Sequence, residues 1–105
     1  MPVVEFEGHI FRTDEDGFLV DLACWNEAWS QYIRKDEGIR ELTEDHWRVI
    51  RTLQDYYKEN GIAPRMSILT KTTGFRLKYI YELFPSGPGK GACRIAGLPK
   101  PAGCV

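Results

Sequence analysis

Between Thr43 and Gly61 the sequence carries every local signal for one amphipathic helix. Trp47, Ile50, Leu53 and Tyr57 recur on a single helical face, and the Thr43 hydroxyl stands where it can cap the first turn. Leu42 can staple onto Trp47, and Asn60-Gly61 supplies a stop. An apolar stripe of this length must be covered by other elements of the chain, and the flanking sequence offers three more helices. Asn26 can cap one running to about Glu37, with Trp29, Tyr32 and Ile33 inward and Gly38 at its end. Pro64 is placed to open another through about Thr72, which Gly74 breaks. Phe75 to Phe84 reads as the last, with Leu77, Ile80, Tyr81 and Phe84 facing the core.

Upstream, Val3-Val4-Glu5-Phe6-Glu7 alternates apolar and acidic residues, Gly8-His9 can turn, and Ile10-Phe11-Arg12 resumes the pattern, as in a β-hairpin. Two strands alone are marginal in water, so Val4, Phe6 and either Ile10 or Phe11 are expected to pack on the helices. The expected fold is therefore mainly α within the α+β class: a small helical bundle with a short N-terminal β-hairpin. Its segment Ile68 to Phe84 is helix-turn-helix-like. A chain of 105 residues buries about 65% of its unfolded surface, enough for one core and too little for a second domain or a large enclosed cleft. No apolar run approaches the roughly 18 residues that span a bilayer, and the acidic start does not resemble a signal peptide, so a cytoplasmic location is expected.

After Phe84 the composition changes. Residues 85–105 hold five of the 10 glycines, four of the 6 prolines, two of the 3 cysteines and no acidic side chain, which divides the chain into a helical core over 1–84 and a C-terminal arm over 85–105. Pro88 can start one short helix carrying Lys90, Cys93 and Arg94. Gly97 and the prolines beyond it end that helix, leaving a flexible arm after about Ala96. The charge divides in the same direction, with residues 1–60 at −7 and residues 61–105 at +6, so the second half suits an anionic partner.

Cys93 and Cys104 are the chemical feature of the arm. An odd cysteine count in a reducing compartment argues against a structural disulfide framework. A Gly/Pro-rich span between two thiols can fold back to bring their Cα atoms within the roughly 7 Å that a disulfide needs. Extended, the chain from Ala96 to Cys104 reaches at most about 28 Å, into a cavity of a partner. Lys90 and Arg94 are placed to favour the Cys93 thiolate, and the same cations, with Lys100, can meet an anionic partner or sulfur anion.

Other constellations carry less. There is no C-x-x-C and there are only two histidines, so no metal site is expected. Cys24, beside Trp25, reads as a half-buried small residue, and His9 and His46 as ordinary structural histidines. Gly87-Pro88-Gly89-Lys90-Gly91 lacks the first glycine and the Ser/Thr of a phosphate loop. Ile68 to Phe84, with Arg76 and Lys78, leaves a redox-responsive DNA-binding regulator as the reading from a different class.

Several runs are together specific: Leu83-Phe84-Pro85, Gly87-Pro88-Gly89-Lys90, Ala92-Cys93-Arg94, Ala96 to Pro101 and Gly103-Cys104-Val105, with Asp14 to Phe18, Thr43 to Trp47, Asp55-Tyr56-Tyr57 and Ala63-Pro64 upstream. Over nearly its whole length the chain resembles the dissimilatory sulfite reductase gamma family, DsrC. The related TusE proteins, a sulfur relay for tRNA thiolation, generally keep only the penultimate cysteine, so the presence of both cysteines aligns this chain with the reductase branch. The resemblance implies a cytoplasmic sulfur carrier, monomeric when free and not a stand-alone enzyme. Its Cys104 would enter the reductase formed by the alpha and beta subunits and accept a partly reduced sulfur. A trisulfide bridging Cys104 and Cys93 would follow, later reduced through a membrane-bound complex, or a persulfide where sulfur flows the other way. It further implies no cofactor on this chain, with sirohaem and iron–sulfur clusters in the partner.

Overall fold

The computed structural model describes residues 2–99. Strands β1 (Val3–Phe6) and β2 (His9–Arg12) form an antiparallel hairpin. A single 3-10 turn, Leu22–Cys24, then leads into helices α1 (Glu27–Asp36), α2 (Glu44–Asn60), α3 (Met66–Thr73) and α4 (Leu77–Leu83), followed by a wide π-type helix, Pro88–Cys93. This is the mainly helical bundle with an N-terminal hairpin that the sequence predicts, and α3, Gly74 and α4 form its helix-turn-helix-like element. Among the described residues no helix is long and apolar enough to cross a membrane.

The hairpin closes one residue earlier than the sequence suggests. Phe6 pairs with His9, so the loop is Glu7-Gly8, and both residues have positive φ, 49° and 81°. That mirror-image turn has the right-handed twist of the strands it joins. The register sets Val4 opposite Phe11 and sends Phe11, at 1% exposure, into the core while Ile10 stays 69% exposed. Phe11 meets the Trp29 ring at 5.2 Å between centroids, and Phe6 meets Tyr32 at 5.4 Å. Two aromatic contacts with α1 thus supply the support that a lone hairpin lacks.

Helix α1 begins where Asn26 Oδ1 accepts from the Trp29 backbone N–H at 3.3 Å, and it buries Trp29 and Ile33. Helix α2 starts at a capping box in which histidine takes the place of the usual Glu or Gln: Thr43 Oγ1 accepts from the His46 N–H, and His46 Nδ1 accepts from the Thr43 N–H at 3.1 Å. His46 Nε2 in turn donates to Leu83 O at 2.8 Å, which fixes the neutral ring with its proton on Nε2. Burial holds the His46 pKa below its ordinary value, outweighing the Leu83 carbonyl and the nearby Asp45 carboxylate. Because the unfolded chain takes up this proton first, the stability His46 contributes is present above about pH 6.5 and is lost as pH falls through its folded pKa. Urea midpoints measured across mildly acidic pH should fall more steeply for the native chain than for His46→Gln, whose amide keeps the capping box. Parallel slopes would remove His46 as the cause.

Helix α4 differs from its predicted phase. Ile80, Leu83 and Phe84 are buried, whereas Leu77 and Tyr81 remain 41% and 48% exposed. Tyr81 instead lies beside the turn at Gly87, where an added Cβ would stand 2.9 Å from its ring. Seven residues make only two turns, too few for an apolar pattern to set the rotation of a helix.

The boundary between core and arm also shifts. Ala92, Cys93, Ile95, Ala96 and Leu98 are all at most 1% exposed and join Trp29, Ile50, Leu53 and Leu69 in one apolar cluster. Residue 84 therefore does not mark a break in packing; the core continues through Leu98. Small residues make this possible, since at Gly91 a Cβ would stand 3.0 Å from Glu37 Oε1 and 3.2 Å from Phe84 Cβ. Side chains that small leave no apolar stripe for sequence periodicity to detect.

Candidate functional site

The chain leaves the core through a C-terminal helix cap of the Schellman type. Leu98 N–H donates to Cys93 O at 3.1 Å, Gly97 N–H donates to Arg94 O at 3.2 Å, and Gly97 is left-handed at φ +82°. Side chains also bond to the carbonyls of this last turn. Trp29 Nε1 donates to Arg94 O at 2.7 Å. Ser30 Oγ donates to Ile95 O at 2.7 Å, and Trp25 Nε1 reaches both that oxygen, at 3.1 Å, and Ser30 Oγ, at 2.9 Å. Gln54 Nε2 donates to Ala96 O at 2.8 Å. Three consecutive carbonyls are thereby pinned to α1, to Trp25 just ahead of its N-cap and to α2.

Cys93 sits at the start of this pinned turn with its thiol inside the core, 1% exposed. Burial pushes the thiol up to about 12, so the thiolate expected from the neighbouring cations does not form in this arrangement. Arg94 is committed elsewhere: its guanidinium bonds Gly17 O at 3.1 Å and Asp36 Oδ2 at 2.8 Å, tying the Asp14–Gly17 turn and the end of α1 to the base of the arm. Lys90 is exposed on the π-type helix. Lys100 and Cys104 lie outside the described residues. Cys24 is exposed on the 3-10 turn, contrary to the half-buried place expected for it.

Anchoring at Leu98 shortens the reach expected of the arm. From Leu98 to Cys104 six peptide steps extend at most about 21 Å, against about 28 Å for a chain free from Ala96. Trp25, Trp29, Ser30 and Gln54 carry no sequence signal for this role, because their partners lie 42 to 70 residues away. Gly97 is the exception, since glycine after a short helix points to a left-handed cap. Among the described residues no group of three or more His, Cys, Asp or Glu side chains is arranged to hold a metal ion.

Residues 5–105 match the profile of the family described as DsrC like protein. The gamma subunit of the dissimilatory-type sulfite reductase of Nitratidesulfovibrio vulgaris is 57% identical over 105 residues, the full length of both chains. The sulfurtransferase TusE of Pectobacterium atrosepticum is 40% identical over 110 residues, covering 98% of this chain and 100% of its own. Among solved structures, a chain in the crystal structure of dissimilatory sulfite reductase I superposes with a TM-score of 0.95 at 60% identity, covering 99% of this chain and 100% of that one. The oxidised gamma subunit (DsrC) from Archaeoglobus fulgidus does so at 0.86 and 47%, with the same coverage. With its hairpin, its bundle and the pinned turn that bears Cys93, this chain belongs to the DsrC-like protein family.

Proposed function

We propose that the protein is a sulfur carrier and co-substrate of a dissimilatory sulfite reductase, acting in the cytoplasm and monomeric when free. The observation that carries the reading is the full-length identity to a reductase gamma subunit, in a sequence with cysteines at both 93 and 104. In this reading Cys104 enters the reductase built from alpha and beta subunits, and its thiolate captures sulfur at the S(II) level, left by two-electron reduction of sulfite, to give a Cys104 Sγ–S–OH adduct. The Cys93 thiol then attacks the outer sulfur and displaces its hydroxyl as water, closing a trisulfide: over both steps each of the two thiol sulfurs gives up a proton and one electron, and the sulfur between them is reduced by those two electrons. A membrane-bound complex would later return the carrier to its dithiol form. Sirohaem and iron–sulfur clusters belong to the reductase in this scheme, and the chain itself contributes thiols.

Incubation of the reduced protein with reductase, sulfite and a limiting electron donor, followed by intact mass, tests the reading. The trisulfide adds one sulfur and removes two hydrogens, whereas a persulfide adds sulfur alone. A carrier recovered without sulfur after turnover would overturn it. The identity to TusE sulfurtransferases favours a second reading, a relay for tRNA thiolation, in which the chain loads from a persulfide donor and is inert towards sulfite reductase.

Lys90, Arg94 and Lys100 were the cations expected to meet the partner, and Arg94 is already paired with Asp36. Neutralising Lys90 and Lys100 together should therefore slow association with the reductase several-fold at low salt and flatten its salt dependence, whereas Arg94→Gln should act by loosening the Gly17 turn. Stopped-flow association across ionic strength reads this directly; unchanged kinetics would assign the lysines to solvation alone.

A further inference from the structure

Cys93 presents a contradiction if it is the second sulfur-handling thiol. Its thiol is 1% exposed among apolar neighbours, and thiol exchange needs an accessible sulfur attacking along a defined line. In the conformation seen the Cys93 sulfur is closed to solvent and so to a partner's sulfur, and the turn that follows it is the element whose movement would open it. What holds it is specific. The segment beyond Cys93 is retained by the two Schellman bonds and by four polar side chains, of which Trp29 and Ser30 are fully buried and Gln54 nearly so, all directed at the carbonyls of residues 94, 95 and 96. Apolar packing alone would not need four converging donors on one short turn.

We propose that Trp25, Ser30, Trp29 and Gln54 form a latch that sets when Cys93 becomes available, its sulfur reacting only after the Arg94–Leu98 turn lifts from these donors. The proposal rests on the reading of Cys93 as the second thiol of a sulfur carrier and adds the residues that time it. They are positioning residues: they touch the backbone beyond Cys93 and not its sulfur. A second thiol held out of reach leaves Cys104 as the sole acceptor while the carrier is empty, and enters the chemistry after loading. The thiol pushed up to about 12 is consistent with this order, since exposure would return it to the ordinary range in which thiolate is available. Such an opening is local, involving one turn and a few hydrogen bonds and not the whole core.

The test uses the full-length chain with Cys24→Ala and Cys104→Ala, leaving Cys93 as its one thiol, and follows alkylation of Cys93 by iodoacetamide with mass spectrometry. In this parent the rate should lie about a hundredfold or more below that of the unfolded chain and should change little with low urea, as for local opening. Ser30→Ala and Gln54→Met each remove one donor and should speed alkylation about tenfold, while amide exchange in the middle of α2 keeps its protection. Ile50→Val, a core change that removes none of the four donors, should leave the alkylation rate unchanged. Alkylation of both latch variants at the parental rate would overturn the proposal. So would a parental rate that rises with urea as steeply as global unfolding, because these residues would then be holding the core in general. Should Ser30→Ala fail to fold, Gln54→Met decides. None of these outcomes depends on sulfite reductase, so failure of the latch leaves the sulfur-carrier reading to its own loading experiment.

Discussion

Cys104→Ala should abolish sulfur loading, while Cys93→Ala should still accept sulfur on Cys104 and accumulate it as a persulfide or mixed adduct in place of the internal trisulfide. The asymmetry follows from the burial of Cys93 and from the position of Cys104 along the chain. Cys93 is buried, and burial, which pushes its thiol up to about 12, keeps it protonated at neutral pH and closed to solvent, which disfavours it as the first nucleophile. Cys104 lies six peptide steps beyond the anchored Leu98, at most about 21 Å along the chain, and in the proposed scheme that tether carries its thiol into a partner that the core cannot enter. Cys24 is exposed, and its conversion to alanine is the necessary control: loading should be unaffected. A single turnover with the reductase and a limiting electron donor, read by non-reducing peptide mass spectrometry of the tail, separates these species. Sulfur appearing on Cys93 of Cys104→Ala at the native rate would reverse the assignment.

Gly97→Ala should cost about 3–4 kcal/mol, a large share of the stability of a domain this small. Two effects combine. A left-handed φ of +82° is strained for alanine by about 1 kcal/mol, and the new Cβ would stand 2.5 Å from Trp25 Cδ1 and 2.8 Å from Trp25 Cβ, so the indole must move. Moving it breaks the Nε1 bonds to Ile95 O and Ser30 Oγ, each worth about 1 kcal/mol. Gly38→Ala is the matched comparison: its φ is +76°, but nothing lies within 4 Å of the added Cβ, so only the conformational cost of about 1 kcal/mol applies. Urea denaturation with unchanged slope should separate the two glycines by about 2 kcal/mol or more. Equal midpoints would mean that Trp25 gives way freely and that the clamp on Ile95 contributes little.

The hairpin and the four helices were legible because their signals are local. Alternation in Val3 to Glu7, the Asn26 and Thr43 caps, the stripe from Trp47 to Tyr57, and the glycines at 38, 61 and 74 each act within a few residues, and the structure places the elements where those signals lie. The Cys93 and Cys104 reading rests on signals of the same local kind, residue type, spacing and the glycines and prolines around them. Where local signals ran short, the reading drifted. Glu7-Gly8 took the turn assigned to Gly8-His9, because strand register is settled by which face finds the core and Phe11 found Trp29. The seven residues of α4 took a rotation that buries Leu83 in place of Leu77 and Tyr81.

The sequence by itself thus determined the elements, their punctuation, the position of the two cysteines and, through whole-chain resemblance, the family. Only the tertiary structure decided that the apparent arm is core as far as Leu98, that Arg94 is bound to Asp36 and Gly17, and that the Cys93 thiol is buried and protonated. A cap or a turn is fixed by neighbours in sequence, whereas burial, desolvation and side-chain clamps on a carbonyl are fixed by neighbours in space. For Cys93 those neighbours come from α1 and α2, at sequence separations that no local pattern encodes.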